Sequence, residues 1–280
     1  MSGQVEKALI TQNEVMILEQ LFKKSSMRTL REILGVPVLF HTVLWHGKDG
    51  PSQTGYDSRD PSAITKQLDQ MQSLGGDDCG AILLTYGPTV SPFIHEACMN
   101  MADQLSSRKM PFALCYDPWT ASANGVKFTT PTQASAALIA ALQNVDTQFL
   151  LNDSSYISTS IGKIVLDFST GATKVAVTAS VPGLDYMMNG PDFDWPRFPQ
   201  RANTSRLPCA YLQFDDGTGP NRNLSATSSG PVRLIPSLAG TTFLSAIAPN
   251  VSSPTGYIQI VTWNDISEST DIEKFAAITL

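Results

Sequence analysis

Two carboxylates three residues apart, Asp265 and Glu268, follow a β-rich run from Tyr257 to Thr262 and the pair Trp263-Asn264. Glycoside hydrolysis needs two carboxyl groups flanking the bond to be cut, one protonated and one ionised. Acids at this spacing, on a turn or a first helical turn, share one side. Mutual repulsion and partial burial then raise one pKa and create the acid of the pair. The same spacing also fits a helix start, with Asp265 as N-cap and Glu268 as its capping-box partner. On these two residues alone both readings stand.

Other chemistries have less to rest on. His41 and His46 flank the end of an apolar run and His95 opens a helix, with no HxH or HxxxH pairing suited to a metal. There is no GxSxG elbow for a nucleophilic serine, and no glycine-rich dinucleotide fingerprint after an early strand. Cys79, Cys98, Cys115 and Cys209 form no CxxC pair and read as buried free thiols. No metal and no cofactor are expected.

Paired acids at a strand end need a frame that gathers strand ends together. Val36 to Trp45 is a continuous apolar, β-branched and aromatic run, as in a strand buried on both faces of a parallel sheet. Asp60 and Pro61 then open a helix as N-cap and N1, with Ile64, Leu68, Met71 and Leu74 on one side and Gly75-Gly76 at its end. A strand from Ala81 to Tyr86, a helix from about Pro92 to Arg108, a strand from Pro111 to Tyr116 and a helix opening at Thr130-Pro131 follow. This repeated strand–helix alternation predicts parallel βα architecture.

Further on, Ile164 to Phe168 and Lys174 to Val181 read as strands. The gap between them is too short for a parallel crossover of roughly ten residues, which predicts a hairpin or an excursion. Gly183 to Arg206 reads as a loop. Ala210 to Phe214, Val232 to Pro236 and Tyr257 to Thr262 read as the remaining strands. The fold expected is a (β/α)8 barrel of the TIM type, irregular in its second half; an open doubly wound sheet is the alternative. Residues 1–34 are expected to form an N-terminal helical extension and residues 35–280 the barrel.

In such a barrel the site lies at the C-terminal ends of the strands. The predicted ends carry Trp45-His46, Tyr86, Asp117 to Trp119, Asp167, and Trp263 to Glu268. Trp45, Trp119 and Trp263 are three of the chain's four tryptophans. An indole face stacks well on the C–H face of a sugar ring, so three of them at strand ends point to a carbohydrate cleft.

Composition sets the outer limits. The 280 residues are 42% hydrophobic and 16% charged, which describes a globular chain rather than a disordered one. A net charge of -6 with no Lys/Arg cluster argues against a nucleic-acid partner. No apolar run approaches the roughly 18 residues of a membrane span, so no membrane partner is expected. The opening MSGQVEKALITQNEV has no apolar signal region. The chain is therefore expected to be cytoplasmic, or secreted with its leader absent.

The run Thr262-Trp263-Asn264-Asp265-x-x-Glu268-Ser269 resembles the C-terminal motif of glycoside hydrolase families 71 and 99, a Trp-Asn-acid-x-x-Glu sequence that carries the catalytic acids. Asp at the first acidic position leans toward family 71; Ile272-Glu273 resembles the tail of the family 99 motif. Tyr56-Asp57-Ser58-Arg59-Asp60-Pro61, the helix after it and Tyr86-Gly87-Pro88 are similar to an early βα unit of these enzymes. Phe112 to Asp117 is similar to their third strand. One departure is the second strand's end, which reads Leu84-Thr85-Tyr86-Gly87 in place of Asp-Trp-Tyr-Gly. The resemblance implies a (β/α)8 fold and endo-acting cleavage of α-linked glucan or mannan. It implies acid/base roles for Asp265 and Glu268, with Glu268 as general acid. It makes Tyr86 and Asp117 substrate-site residues, with Trp263 and Asn264 shaping the pocket.

Overall fold

The computed structural model describes residues 29–49, 56–85, 87–117, 130–168, 171–188, 192–193, 206–210, 214–215, 234–235 and 253–264. Its first half alternates helix and strand: α1 (Leu30–Leu34), β1 (Val38–Thr42), α2 (Pro61–Gly75), β2 (Gly80–Thr85), α3 (Pro92–Ser107), β3 (Phe112–Tyr116) and α4 (Pro131–Gln143). Then come α5 (Val145–Leu151), β4 (Lys163–Asp167), α6 (Gly171–Ser180) and β5 (Leu184–Met188). The short strands β6 (Cys209–Ala210), β7 (Phe214–Asp215) and β8 (Leu234–Ile235) precede β9 (Ile258–Val261).

The long helices α2, α3 and α4 start in the same way. A cap side chain on Asp60, Ser91 or Thr130 accepts a backbone N–H of the first turn, and a proline follows at once. The cap satisfies an orphan donor, and proline's fixed φ suits a position whose own N–H would have no partner. Strands β1, β2 and β3 are buried along their whole length, as continuous apolar runs require in a sheet covered on both faces.

Among the described residues, seven strands form one sheet in the order β5-β4-β3-β2-β1-β9-β6, parallel throughout. The sheet is curled. A Cβ placed on Gly75 would lie 2.9 Å from the Phe40 ring and 3.0 Å from Val38, so these residues of β1 face α2. Leu39 and His41 alternate to the opposite, concave side. There the His41 ring lies 6.4 Å from that of Phe168, just after β4. Strand β4 is three strands from β1, about 14 Å along a flat sheet at ~4.8 Å per step. Only a curled sheet brings these rings together. Phe193 continues the cluster, 5.6 Å from Phe168.

Beyond the end of β5 and just ahead of β6, the two edge strands, a parallel bridge links Phe193 with Leu207. Beside it, the Arg206 guanidinium forks onto Asp185 of β5 at 2.8 and 2.6 Å. Thr159 donates to the same carboxylate at 2.5 Å, and Lys174 reaches Asp192 at 2.8 Å. Burial opposes ionisation of Asp185, but the hydrogen bonds from Arg206 and Thr159 outweigh it and hold its pKa below the ordinary value. The fold is a (β/α) barrel, irregular in its second half, not an open doubly wound sheet.

Three expectations are corrected. Residues 174–181 are not a strand: Gly171–Ser180 is the helix α6. Thr173, Val177 and Val181 are buried at a spacing of four, while Val175 is 71% exposed, so a helical period lay hidden in β-branched residues. That helix is itself the crossover, and β4 and β5 are adjacent parallel strands. The expected loop from Gly183 contains β5. The expected strand from Ala210 to Phe214 divides: β6 joins the main sheet, while β7 pairs antiparallel with β8. Of the expected N-terminal helical extension, Leu30–Leu34 is described, closed by a Thr29–Glu32 capping box and by Gly35 at φ 74°; residues 1–28 lie outside the described residues.

All four cysteines are buried, and burial pushes the Cys79 and Cys98 thiols up to about 12. Among the described residues no helix is long and apolar enough to cross a membrane.

Candidate functional site

Parallel strands place all their C-terminal ends on one rim. Where β1 and β9 end side by side, pairing continues past the end of β9, with the Trp263 N–H donating to the His41 carbonyl at 2.7 Å. The next residue, Asn264, turns its side chain onto Val43. Its Oδ1 accepts the Val43 N–H at 2.9 Å and its Nδ2 donates to the Val43 carbonyl at 2.9 Å. The amide thus acts as one more rung of the ladder. Only a side chain with both a donor and an acceptor can do this. Nδ2 also donates to the Tyr56 hydroxyl at 2.7 Å. Asn264 is 1% exposed, and its two bonds to Val43 are buried away from water.

His46 holds the third group of Asn264. Its Nε2 lies 2.9 Å from the Asn264 carbonyl oxygen. Burial lowers the His46 pKa to about 4, against the hydrogen bond to Asn264, which raises it. The ring is therefore neutral near neutrality. With a carbonyl as partner, Nε2 carries the proton. Nδ1 is buried and without a hydrogen-bond partner among the described residues. The backbone of His46 exchanges two bonds with Ser58: the Ser58 N–H donates to the His46 carbonyl at 2.8 Å, and the His46 N–H to Ser58 Oγ at 3.2 Å. The Tyr56 ring lies 5.1 Å from the imidazole.

The loop between β1 and α2 is pinned by charge. Arg59 forks onto Asp57 at 3.0 and 2.7 Å, and its guanidinium stacks 4.3 Å over Phe93 of α3. Asn100 of α3 donates to the Arg59 carbonyl at 3.0 Å. The hydrogen bonds from Arg59 hold the Asp57 pKa below the usual carboxylate range. Gly47 packs into this corner at φ 150°, where a Cβ would lie 2.9 Å from Phe93.

Deeper in the barrel, His41 and Gln259 form a second neutral polar pair. Both are fully buried. Desolvation lowers the His41 pKa to about 3, against a hydrogen bond to Gln259. Among the described residues no three His, Cys, Asp or Glu side chains cluster as a set that could hold a metal ion.

The predicted site residues fall into three groups. Trp45, Trp263 and Asn264 meet at the β1–β9 end. Trp45 is half-buried against the core, with its ring 6.5 Å from that of His46. Trp263 does not offer the stacking face expected of it. It is fully buried, edge-on to Phe40 at 5.2 Å, and shapes the rim from behind. Asp117 directly follows β3, half-buried, on the same rim and two strands from β1. Asp265, Glu268, Tyr86 and Trp119 lie outside the described residues. Asp167, expected at a strand end, is in register with Tyr116 and shares its side of the sheet. Register carries the helix-facing side of Phe40 through Ala81 to Phe112 and hence to Tyr116 four residues on, so that side is the helix layer; there Asp167 accepts from the Tyr186 hydroxyl.

Sequence reasoning did not single out His46 or Tyr56 as partners of Asn264. Tyr56 stood within the Tyr-Asp-Ser-Arg-Asp-Pro run, which carried the one usable signal. For His46 no local pattern existed, because its partner lies 218 residues away.

No protein-family model and no curated protein matches the chain in sequence. Its fold is similar to that of solved glycoside hydrolases. The GH99 endo-alpha-mannosidase from Bacteroides thetaiotaomicron aligns with a TM-score of 0.57 at 12% identity, over 84% of this chain and 87% of that one. The same enzyme in complex with BIS-TRIS-propane gives 0.58 at 13% identity, over 84% and 86%. A glycoside hydrolase-like protein gives 0.51 at 8% identity, over 85% and 86%. The fold is thus of the glycoside hydrolase family 71/99 type.

Proposed function

We propose that this chain is a glycoside hydrolase that cleaves α-linked glucan or mannan, endo-acting, with Asp265 and Glu268 as its carboxylate pair. The observation that carries this reading is Asn264. Three of its polar groups are fixed to the rim beside β1, and the Asp-x-x-Glu run begins at the residue after it. Glu268 donates a proton to the leaving oxygen, and Asp265 acts with a water or a substrate hydroxyl as positive charge develops on the sugar ring. Trp45, Tyr86, Asp117 and Trp119 line the sugar cleft, and Trp263 with Asn264 shapes its floor.

The test is a screen of α-glucans and α-mannans with product analysis, run beside Glu268→Gln. Loss of a general acid is expected to lower turnover by about 10²–10⁴-fold. Turnover unchanged in both Glu268→Gln and Asp265→Asn would reject these roles. Glycan binding without product release by the wild type would instead indicate a carbohydrate-binding barrel.

A further inference from the structure

The backbone carbonyl of Asn264 belongs to the peptide bond that leads to Asp265. Its orientation is the ψ angle of Asn264, and ψ decides where the chain goes next. The side-chain amide of Asn264, held by Val43 and Tyr56, places the residue but leaves ψ open. The carbonyl is held by the His46 ring at 2.9 Å. His46 is itself a fixed strut. Its backbone is bonded twice to Ser58, and the loop carrying Ser58 is tied through Arg59 to Phe93 and Asn100 of α3. The ring is 1% exposed, so water does not compete for the carbonyl.

We infer that His46 is a positioning residue: its Nε2–H fixes the Asn264 carbonyl and thereby orients the peptide link from which the Asp265-x-x-Glu268 carboxylates continue. This rests on the proposed hydrolase reading for its effect on turnover, but not for its effect on the backbone. His46 does not touch substrate and transfers no proton. A neutral imidazole suits this task, because one N–H is presented at a fixed tautomer without burying a charge.

Two variants separate positioning from bulk packing. His46→Phe keeps a ring and loses the donor. His46→Gln loses the ring but carries an N–H at the reach of Nε2. With a cleaved α-linked glycan as substrate, His46→Phe is expected to lower kcat about 10- to 100-fold with KM within about twofold. His46→Gln is expected to recover kcat to within about threefold of the wild type. Equal losses in the two variants, or a loss accounted for entirely by a smaller folded fraction, would overturn the inference. Should His46→Phe fail to fold, His46→Asn, whose amide falls short of the carbonyl, takes its place with the same expectation.

If the wild type cleaves no α-linked glycan, the hydrolase reading fails on its own. The inference is then decided by amide hydrogen exchange across residues 262–268. Faster exchange in the donor-deleted variant than in the wild type and His46→Gln supports it; equal exchange in all three refutes it.

Discussion

Along the meeting of β1 and β9, the two strands are joined by a four-residue register, by the Asn264 amide on Val43 and by a neutral imidazole on a carbonyl. Where β5 and β6 face each other, one parallel bridge is flanked by two ion pairs, Arg206–Asp185 and Lys174–Asp192. The first junction consists of buried neutral hydrogen bonds, each expensive to leave half-made. The second consists of charges, one partner of each pair partly in solvent. The two junctions therefore fail for different reasons, and acid distinguishes them. The β1–β9 junction requires His41 and His46 to stay neutral; the β5–β6 junction requires Asp185 to stay ionised.

The sharpest way to break the contrast is Asn264→Ala. It leaves a buried N–H and a buried C=O on Val43 without partners, each costing about 1–3 kcal/mol. A loss of about 3–4 kcal/mol in urea unfolding is expected, unchanged by salt. Arg206→Ala strikes the other junction. Removing one partner of a buried pair costs about 3–5 kcal/mol. Arg206 is 31% exposed while Asp185 is 2% exposed, so water recovers part of that cost. About 2–3 kcal/mol is expected, measured in the same way.

Acid comes next in size. The folded pKa of His46, about 4, lies below its ordinary 6.5, so the unfolded chain takes up a proton that the folded state refuses. Stability from this group is complete above about pH 6.5 and is lost as pH falls toward 4, by about 2 kcal/mol at pH 5. His46→Gln is expected to remove about half of that slope, leaving the equal part that His41, with its folded pKa of about 3, supplies. The Asp185 pKa is held below its unfolded value of about 3.9. Its contribution is present above that value and is lost only as pH falls through the folded one, so Asp185→Asn flattens the curve below about pH 4 and not above it. The smallest effect is Lys174→Met: with the lysine 38% exposed, about 0.5 kcal/mol is expected, vanishing in high salt.

How far the sequence foretold these junctions depends on where each signal lay. Helices α2 and α4 were legible from Asp60-Pro61 and Thr130-Pro131, because a cap and a proline are local chemistry. Strands β1 to β3 were legible because burial on both faces demands unbroken apolar runs. β5 was not legible: in Leu-Asp-Tyr-Met-Met the acid looks like a loop residue, and its partners Thr159 and Arg206 lie 26 and 21 residues away. α6 was misread because Val175, Val177 and Thr178 have strand-like shapes, while the decisive spacing of Thr173, Val177 and Val181 emerges only on packing. At the site, Asn264 was singled out by its motif, but the reason for an amide there is the backbone of Val43. Trp263 was read as a platform because sequence alone does not reveal which side of a ring is covered.

The amide rung between Asn264 and Val43 also dictates an order of assembly. Its two ends are 221 residues apart. At synthesis rates of about 5–20 residues per second, roughly 10–45 s separate the emergence of Val43 from that of its partner. Throughout that interval β1 presents an open edge of unpaired N–H and C=O groups, a template for stray strands. The β1–β9 end of the rim is thus completed only when β9 docks, so a nascent chain lacks the Asn264–Val43 junction until β9 has been made.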